Sequence, residues 1–448
     1  MTKKQKRLFK KKDKGIVDFM MVTNHFFDNL KDWINEMKDP RHQSYISYTQ
    51  ADLSYMAILK NICGQDTMRT MDENFNEETC IRTLGILSGH EDLDEMPHYD
   101  TLNYYLEKLE PSCLEQLRKK MIKKLIRGKQ FHKNRFLGKY WRVILDGTGL
   151  FYFKEKHCEN CLCTVRKTED GKKTKMYYHK VLEAKIVLSD NIVVSIGTEF
   201  IENESENVSK QDCETNAAKR LLEKIKKDYP RLPICIQGDA LYAAEPIMEM
   251  CKEKYHWEYI FTQKETRQKI LGESFEWIKT EDEEEHTVTD ICKEEGRAYF
   301  ANHVEKTAGK KQVMNVYEYE YQVKKEEKTV KFQWITSIEV TKRNIEEMVV
   351  VARGRWKIEN EGFNNQKNGL YRIEHLNSKN SNAMKNHYLW TQISDILMQL
   401  YLAWSPYIKE LHQTLKNTSS MLLESFRQKI VTDEDVSYTM RYTTIYLE

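Results

Sequence analysis

Two short apolar runs, RVIL and PICIQG, each deliver an aspartate, Asp146 and Asp239, 239 − 146 = 93 positions apart. A sheet can bring two such ends together whatever their separation in sequence. Taken singly, each has a plain reading: Asp-Gly is a common turn dipeptide, and an aspartate between a strand and Ala-Leu-Tyr can cap a helix. The pair says more, because both residues end strands that the surrounding pattern sets side by side.

That pattern begins at Tyr140. WRVILDGTGLFYF is a β-rich run broken by Asp-Gly-Thr-Gly, and YYHKVLEAKIVLS and NIVVSIGTEFI are two further strands joined by a Ser-Asp-Asn turn. A helix over 210–227 starts near Ser209 and stops at Tyr-Pro, 229–230; PICIQGD, the helix AAEPIMEMCKEKY and the strand WEYIFTQKE follow. The order βββαβαβ is that of a ribonuclease-H-like core, an α/β (α+β) fold with a mixed sheet and flanking helices. Residues 264–330 interrupt it with the strand-like pieces FEWIKT, RAYFANHVEK and VMNVYEYEYQV, an inserted β-subdomain. The core resumes at VKFQWITS, and a long helical stretch from near Asn344 carries RGRWKIENEGFNNQK.

Residues 1–138 read as helical, with start signals at Thr49 and Ser112. The segment MPHYDTLNYYLEKLEP, with Asp100 as N-cap, suits a helix-turn-helix or an ordinary packing helix equally. The expected layout is a helical DNA-binding region over 1–138, a catalytic domain over 139–400 and a helical segment over 401–448. Net charge does not argue for a nucleic-acid partner, since 71 Lys and Arg balance 69 Asp and Glu. Distribution does: lysines crowd the first fourteen residues and recur from Arg118 to Lys139, against an acidic run at Glu281 to Glu285. Ten cysteines, only three of them clustered, fit a reducing cytosol, and a cytoplasmic protein is expected. No membrane span is expected either: the best candidate, Tyr388 to Trp404, contains Gln392, Ser394, Asp395 and Gln399, which mark a helix with one wet face.

Cleavage of a phosphodiester by in-line attack uses two divalent ions, and magnesium prefers hard carboxylate oxygens. Asp146 and Asp239 supply two such ligands. A third carboxylate is expected from a helix packed on the sheet. Arg355 and Glu359 stand at i and i+4 on one helical face, where the guanidinium can orient the carboxylate or approach a phosphate, or the two can form a surface ion pair. Glu361 is the rival, about 200° around the helix from Glu359.

At this point the residues resemble the DDE-type insertion-sequence transposases of the cut-and-paste kind. In that family the third carboxylate lies in a segment close to Y-x-x-R-W-x-I-E-x-x-F-x-x-x-K, and Arg355, Trp356, Ile358 and Glu359 match it within RWKIENEGFNNQK. LDGTG and QGDALY resemble the family's two aspartate motifs, so the similarity covers roughly 140 to 400. The tyrosine position holds Ala352, and Phe363 and Lys367 arrive one residue late. The resemblance implies a DNA transposase that cuts at the ends of a mobile element and joins the freed 3′ hydroxyl to target DNA. It implies Asp146, Asp239 and Glu359 holding two magnesium (or manganese) ions, and Lys367 contacting phosphate. A local bulge around Gly362 would bring Lys367 back onto the Glu359 face. Trp334 would stack on a base displaced from the duplex end, or else pack in the core. Cutting two ends of double-stranded DNA together implies a homodimer. A domesticated DNA-binding protein without turnover, and a nuclease that cuts without joining, are the other readings.

One segment stands outside this scheme. KEKHCENCLCTVRKTEDGKKTKMYYH, spanning about 154–179, is too long for a plain hairpin. Cys158 and Cys161 form a CxxC pair, and with Cys163 and His179 they make a candidate zinc set, His157 being the less convenient ligand. Reduced thiols without metal are the alternative.

Overall fold

A computed structural model describes residues 15–442, apart from 168–170, 172, 204–209, 265–267, 283, 285, 307–311, 324–327 and 412; the side chains of 166, 306, 312, 359–362, 406, 410 and 442 also lie outside the description. The basic first fourteen residues and the helix start expected near Ser209 are therefore outside the described residues, as is part of the acidic run. Two compact units emerge: residues 1–130, 156–158 and 363–448 form one, and 131–155 with 159–362 form the other.

The second unit is built on a ten-stranded sheet. Its strands are β1 (Trp141–Phe153), β2 (Leu162–Lys167), β3 (Lys173–Ser189), β4 (Ile192–Ile201), β5 (Ile234–Gly238), β6 (Glu258–Thr262), β7 (Thr287–Ile291), β8 (Gly296–Lys306), β9 (Gln312–Val323) and β10 (Lys328–Thr336). β3 pairs antiparallel with β1 on one edge, and with β2 and β4 in succession on the other. β1, β5 and β6 run parallel. The sequence β4-β3-β1-β5-β6 is the ribonuclease-H-like core that the pattern predicts, a mixed α/β fold. Within it, β5 is buried at every position, as befits a strand covered on both faces.

The insertion differs from the expectation in two ways. FEWIKT is helical, within Lys269–Asp282, because Leu271 and Phe275 at i and i+4 bury together and Phe275 packs on Tyr299 of β8 at 5.3 Å. β7 to β9 form no separate subdomain, since β10 pairs antiparallel with both β6 and β9 and extends the main sheet outward.

The helical unit is discontinuous in sequence. Its centre is the helix Ser381–Trp404, buried along most of its length and packed on Gln50–Ile62 and Tyr99–Lys108. Thr49 caps Gln50–Ile62 in a reciprocal box with Asp52, as the sequence suggests. His98, not Asp100, caps Tyr99–Lys108, and the helix expected after Ser112 starts two residues earlier, at Pro111, with Glu110 as its N-cap. Leu102, Tyr105 and Leu106 are buried, and Asn386 donates to the carbonyls of Leu106 and Leu109 at 2.8 and 2.7 Å. The boundary expected at 400 accordingly falls between Gly362 and Phe363, because the C-terminal helices complete the N-terminal bundle rather than the sheet domain.

The wet face expected on the helix up to Trp404 is buried. Gln366 donates to Gln392 at 3.1 Å and to Asp395 at 2.9 Å, Gln392 donates back to Gln366 at 2.9 Å, and Gln399 donates to Asp395 at 2.9 Å. Polar side chains that satisfy one another tolerate burial, which amphipathic patterning alone does not reveal. Among the described residues no helix is long and apolar enough to cross a membrane.

Candidate active site

β1 does not break at Asp-Gly-Thr-Gly. Asp146 lies opposite Glu183, Gly147 opposite Leu182 and Thr148 opposite Val181, and the ladder slips only between Gly149 and Phe151. On its other side β1 runs parallel to β5 with Ile144 beside Gln237. Asp146 lies two residues beyond that pair on β1 and Asp239 two residues beyond it, directly after β5, and the two carboxylates are close enough to interact.

Both aspartates are half-buried. Asp146 Oδ1 accepts the Gly147 amide at 3.0 Å, and Asp239 Oδ1 accepts the Leu241 amide at 2.8 Å. Burial pushes the Asp146 carboxyl up from 3.8 to about 6; the Arg355 guanidinium draws it down, while Glu214 and Asp239 add to the rise.

Arg355 reaches this place through a chain of packing that starts on β5. Gln237 donates from Nε2 to the Val351 carbonyl at 2.8 Å and accepts from Arg142 Nε at 3.3 Å. A Cβ at Gly354 would lie 2.7 Å from Arg142 Nη2, so the Gly of RGRW lets the chain turn closely over that buried arginine. The helix Ile345–Arg353 is thereby held on the sheet, and the next turn carries Arg355 toward Asp146. Beyond it, Trp356 is 47% exposed, Lys357 Nζ pairs with Asp190 at 2.9 Å, and Ile358 is fully buried.

Glu359 and its rival Glu361 have their backbone in a π-helical run, Ile358–Gly369, and their side chains lie outside the described residues. The bulge expected near Gly362 is thus a run of twelve residues. A π-helix winds more widely than an α-helix, so face positions counted at about 100° per residue do not apply along it. Lys367 Nζ is engaged by Glu374 at 2.7 Å.

Trp334 sits in the core, 3% exposed, stacked on Tyr317 at 5.1 Å and on Phe332 at 5.7 Å. These neighbours occupy the ring, so this geometry supports the packing reading of Trp334 over base stacking.

One acidic residue of the site escaped the sequence reading. Glu214 opens the helix Glu214–Asp228; its Oε1 accepts from the Tyr242 hydroxyl at 2.5 Å, and its Oε2 holds the Lys180 ammonium. A Cβ at Gly147 would stand 2.5 Å from Glu214 Oε2, and one at Gly238 would stand 2.5 Å from the Tyr242 ring. The glycines flanking the two aspartates are therefore there for close approach and not for a turn. A glycine inside a strand beside a carboxylate was the available signal.

Of the expected sulfur and nitrogen ligands, Cys158, Cys161 and His179 come together, and the fourth member is His157 in place of Cys163. The ligand atoms of these four all lie within 4.8 Å of one another.

A family model described as "Transposase DDE domain" matches residues 137–394. No curated protein sequence matches the chain. Among solved structures the chain aligns with piggyBac transposase, seen by cryo-EM in a synaptic complex with hairpin DNA, at 10% identity over 97% of this chain and 86% of that one, with a TM-score of 0.44.

Proposed function

Because the chain belongs to the transposase DDE-domain family, we propose that it cuts DNA at the ends of a mobile element and joins the freed 3′ hydroxyls to target DNA. The observation that carries this reading is the closeness of Asp146, on β1, to Asp239, directly after the adjacent parallel strand β5, with Arg355 beside Asp146.

The donor set fits a hard divalent cation. Asp146 and Asp239 offer carboxylate oxygens from a partly open face, as magnesium or manganese requires. Glu359, four residues beyond Arg355, is the third ligand in this reading. Two bound ions would lower the pKa of the attacking water or hydroxyl and neutralise charge on the leaving oxygen. Arg355 balances the carboxylates and can approach a scissile phosphate. Glu214, fixed by Tyr242 and Lys180, holds its charge beside Asp146 and favours the presence of cations there. Double-stranded DNA and a homodimer that brings two ends together are the partners, and Lys367 belongs to the DNA contacts only if it leaves Glu374.

The test is incubation of the purified protein with DNA bearing the element's two ends, in magnesium or manganese. Cleavage and a joined product are expected. Asp146→Asn, Asp239→Asn and Glu359→Gln should each lower the cleavage rate by about a thousandfold or more. Undiminished cleavage by Asp146→Asn and Asp239→Asn refutes the site. Cleavage without joining identifies a nuclease, and binding without cleavage identifies a DNA-binding protein that lacks turnover.

A further inference from the structure

The CxxC segment after β1 plays no part in the carboxylate site. We propose that His157, Cys158, Cys161 and His179 bind one structural zinc ion.

The β2–β3 ladder sets Leu162 opposite Tyr178, and Cys161 and His179 are the next residues beyond that pair. Facing residues of an antiparallel pair point to the same side, and Cys161 Sγ lies 3.4 Å from His179 Nε2. Both residues are almost fully buried, at 2% and 3% exposure. Phe151 and Phe153 stand edge-on to the imidazole at 6.4 and 6.2 Å and fix its plane. Cys158 and His157 are delivered by the turn immediately before Cys161, so all four ligands fall in one unbroken stretch, 157–179, and complete a group within 4.8 Å.

The turn is tied from outside. Asn203 donates from Nδ2 to the Cys161 carbonyl at 2.9 Å, Asn160 donates to the Asn203 carbonyl at 3.0 Å, and the Asn203 amide donates to the Asn160 carbonyl at 3.2 Å. Cys163 shares the face of Cys161 but lies two residues along the strand, about 6.6 Å away by strand rise. Its amide and carbonyl are both taken by the Gln211 side chain, at 2.5 and 2.8 Å. That displacement is why His157 replaces it.

Two thiolates and two imidazoles are the borderline-soft, tetrahedral set that zinc prefers, and four protein ligands make a closed, structural site. None of the ten cysteines is in a disulfide, so the pair is available as thiols.

Elemental analysis of the full-length protein, purified with reductant and reconstituted with zinc chloride, should give about one zinc per chain. A content below about half a zinc overturns the proposal. Cys163→Ser should keep the metal, while Cys161→Ser should bind it at least about tenfold more weakly. Equal loss from both variants overturns the ligand set. Should Cys161→Ser fail to fold, cobalt substitution of the unaltered protein decides: tetrahedral d–d bands with charge transfer from two thiolates support the site, and an octahedral spectrum without thiolate bands refutes it. These readouts involve no DNA, so they stand apart from the transposase reading.

Discussion

The carboxylate site and the cysteine–histidine knuckle share one strand pair. Asp146 faces Glu183 and, a few residues further along, Phe151 faces His179. They are assembled in opposite ways. The carboxylate site gathers Asp146 from β1, Asp239 from the end of β5, Glu214 from a helix start and Arg355 from the turn after Ile345–Arg353. The knuckle takes all its ligands from one excursion of the chain. In the proposed roles, one collects hard oxygens from two half-buried aspartates for ions and a substrate, and the other collects sulfur and nitrogen around the buried Cys161 and His179. Long-range assembly suits chemistry because independent elements can each be aimed at the reacting atoms; local assembly suits a staple.

The largest effect that distinguishes them is a double dissociation. Asp239→Asn should abolish cleavage, by about a thousandfold or more, and leave zinc content unchanged, whereas Cys158→Ser should lose zinc and, where folded, keep cleavage within about tenfold. Parallel loss of both properties in either variant would break the comparison. Next in size is Gly147→Ala. The added methyl would meet Glu214 Oε2 at 2.5 Å, so denaturant unfolding should show a loss of about 1–3 kcal/mol, and the additional variant Glu214→Ala should recover part of it. If Gly147→Ala costs nothing, the approach of Glu214 does not depend on bare backbone at that position.

The smallest effect is in pH. The folded Asp146 carboxyl ionises near 6 instead of 3.8, so folding favours its acid form. Below 3.8 both states carry the proton and pH has no influence; between 3.8 and about 6 the folded state becomes relatively less stable as pH rises; above 6 the penalty is constant. Magnesium must displace that proton, so its affinity should fall by up to about tenfold per pH unit below 6 and level off above it. Titration calorimetry at pH 5, 6 and 7 checks this, and zinc retention in the knuckle should not follow the same inflection.

The order of strands in the core, the aspartates at Asp146 and Asp239, the capping threonine Thr49 and the CxxC pair were all legible in the sequence. Each depends on local periodicity or on residue type at short spacing, and these act before any tertiary contact forms. Other features depend on what packs against them. FEWIKT has a strand-like composition, yet it is helical because a face carrying Leu271 and Phe275 docks on β8. Gln392 and Asp395 look like surface residues, yet they are buried because Gln366 supplies their hydrogen bonds. Strand rise separates Cys163 from Cys161, which a spacing rule for metal ligands overlooks, and the turn brings His157 in its stead. Glu214 was invisible for the same reason: nothing near it in sequence marks it, and its role comes from Lys180, Tyr242 and the bare backbone at Gly147. Sequence alone therefore determined which residue types stand at which positions along each element. Tertiary structure decided which of them meet, because side-chain proximity is a property of register and packing between elements and not of any one element.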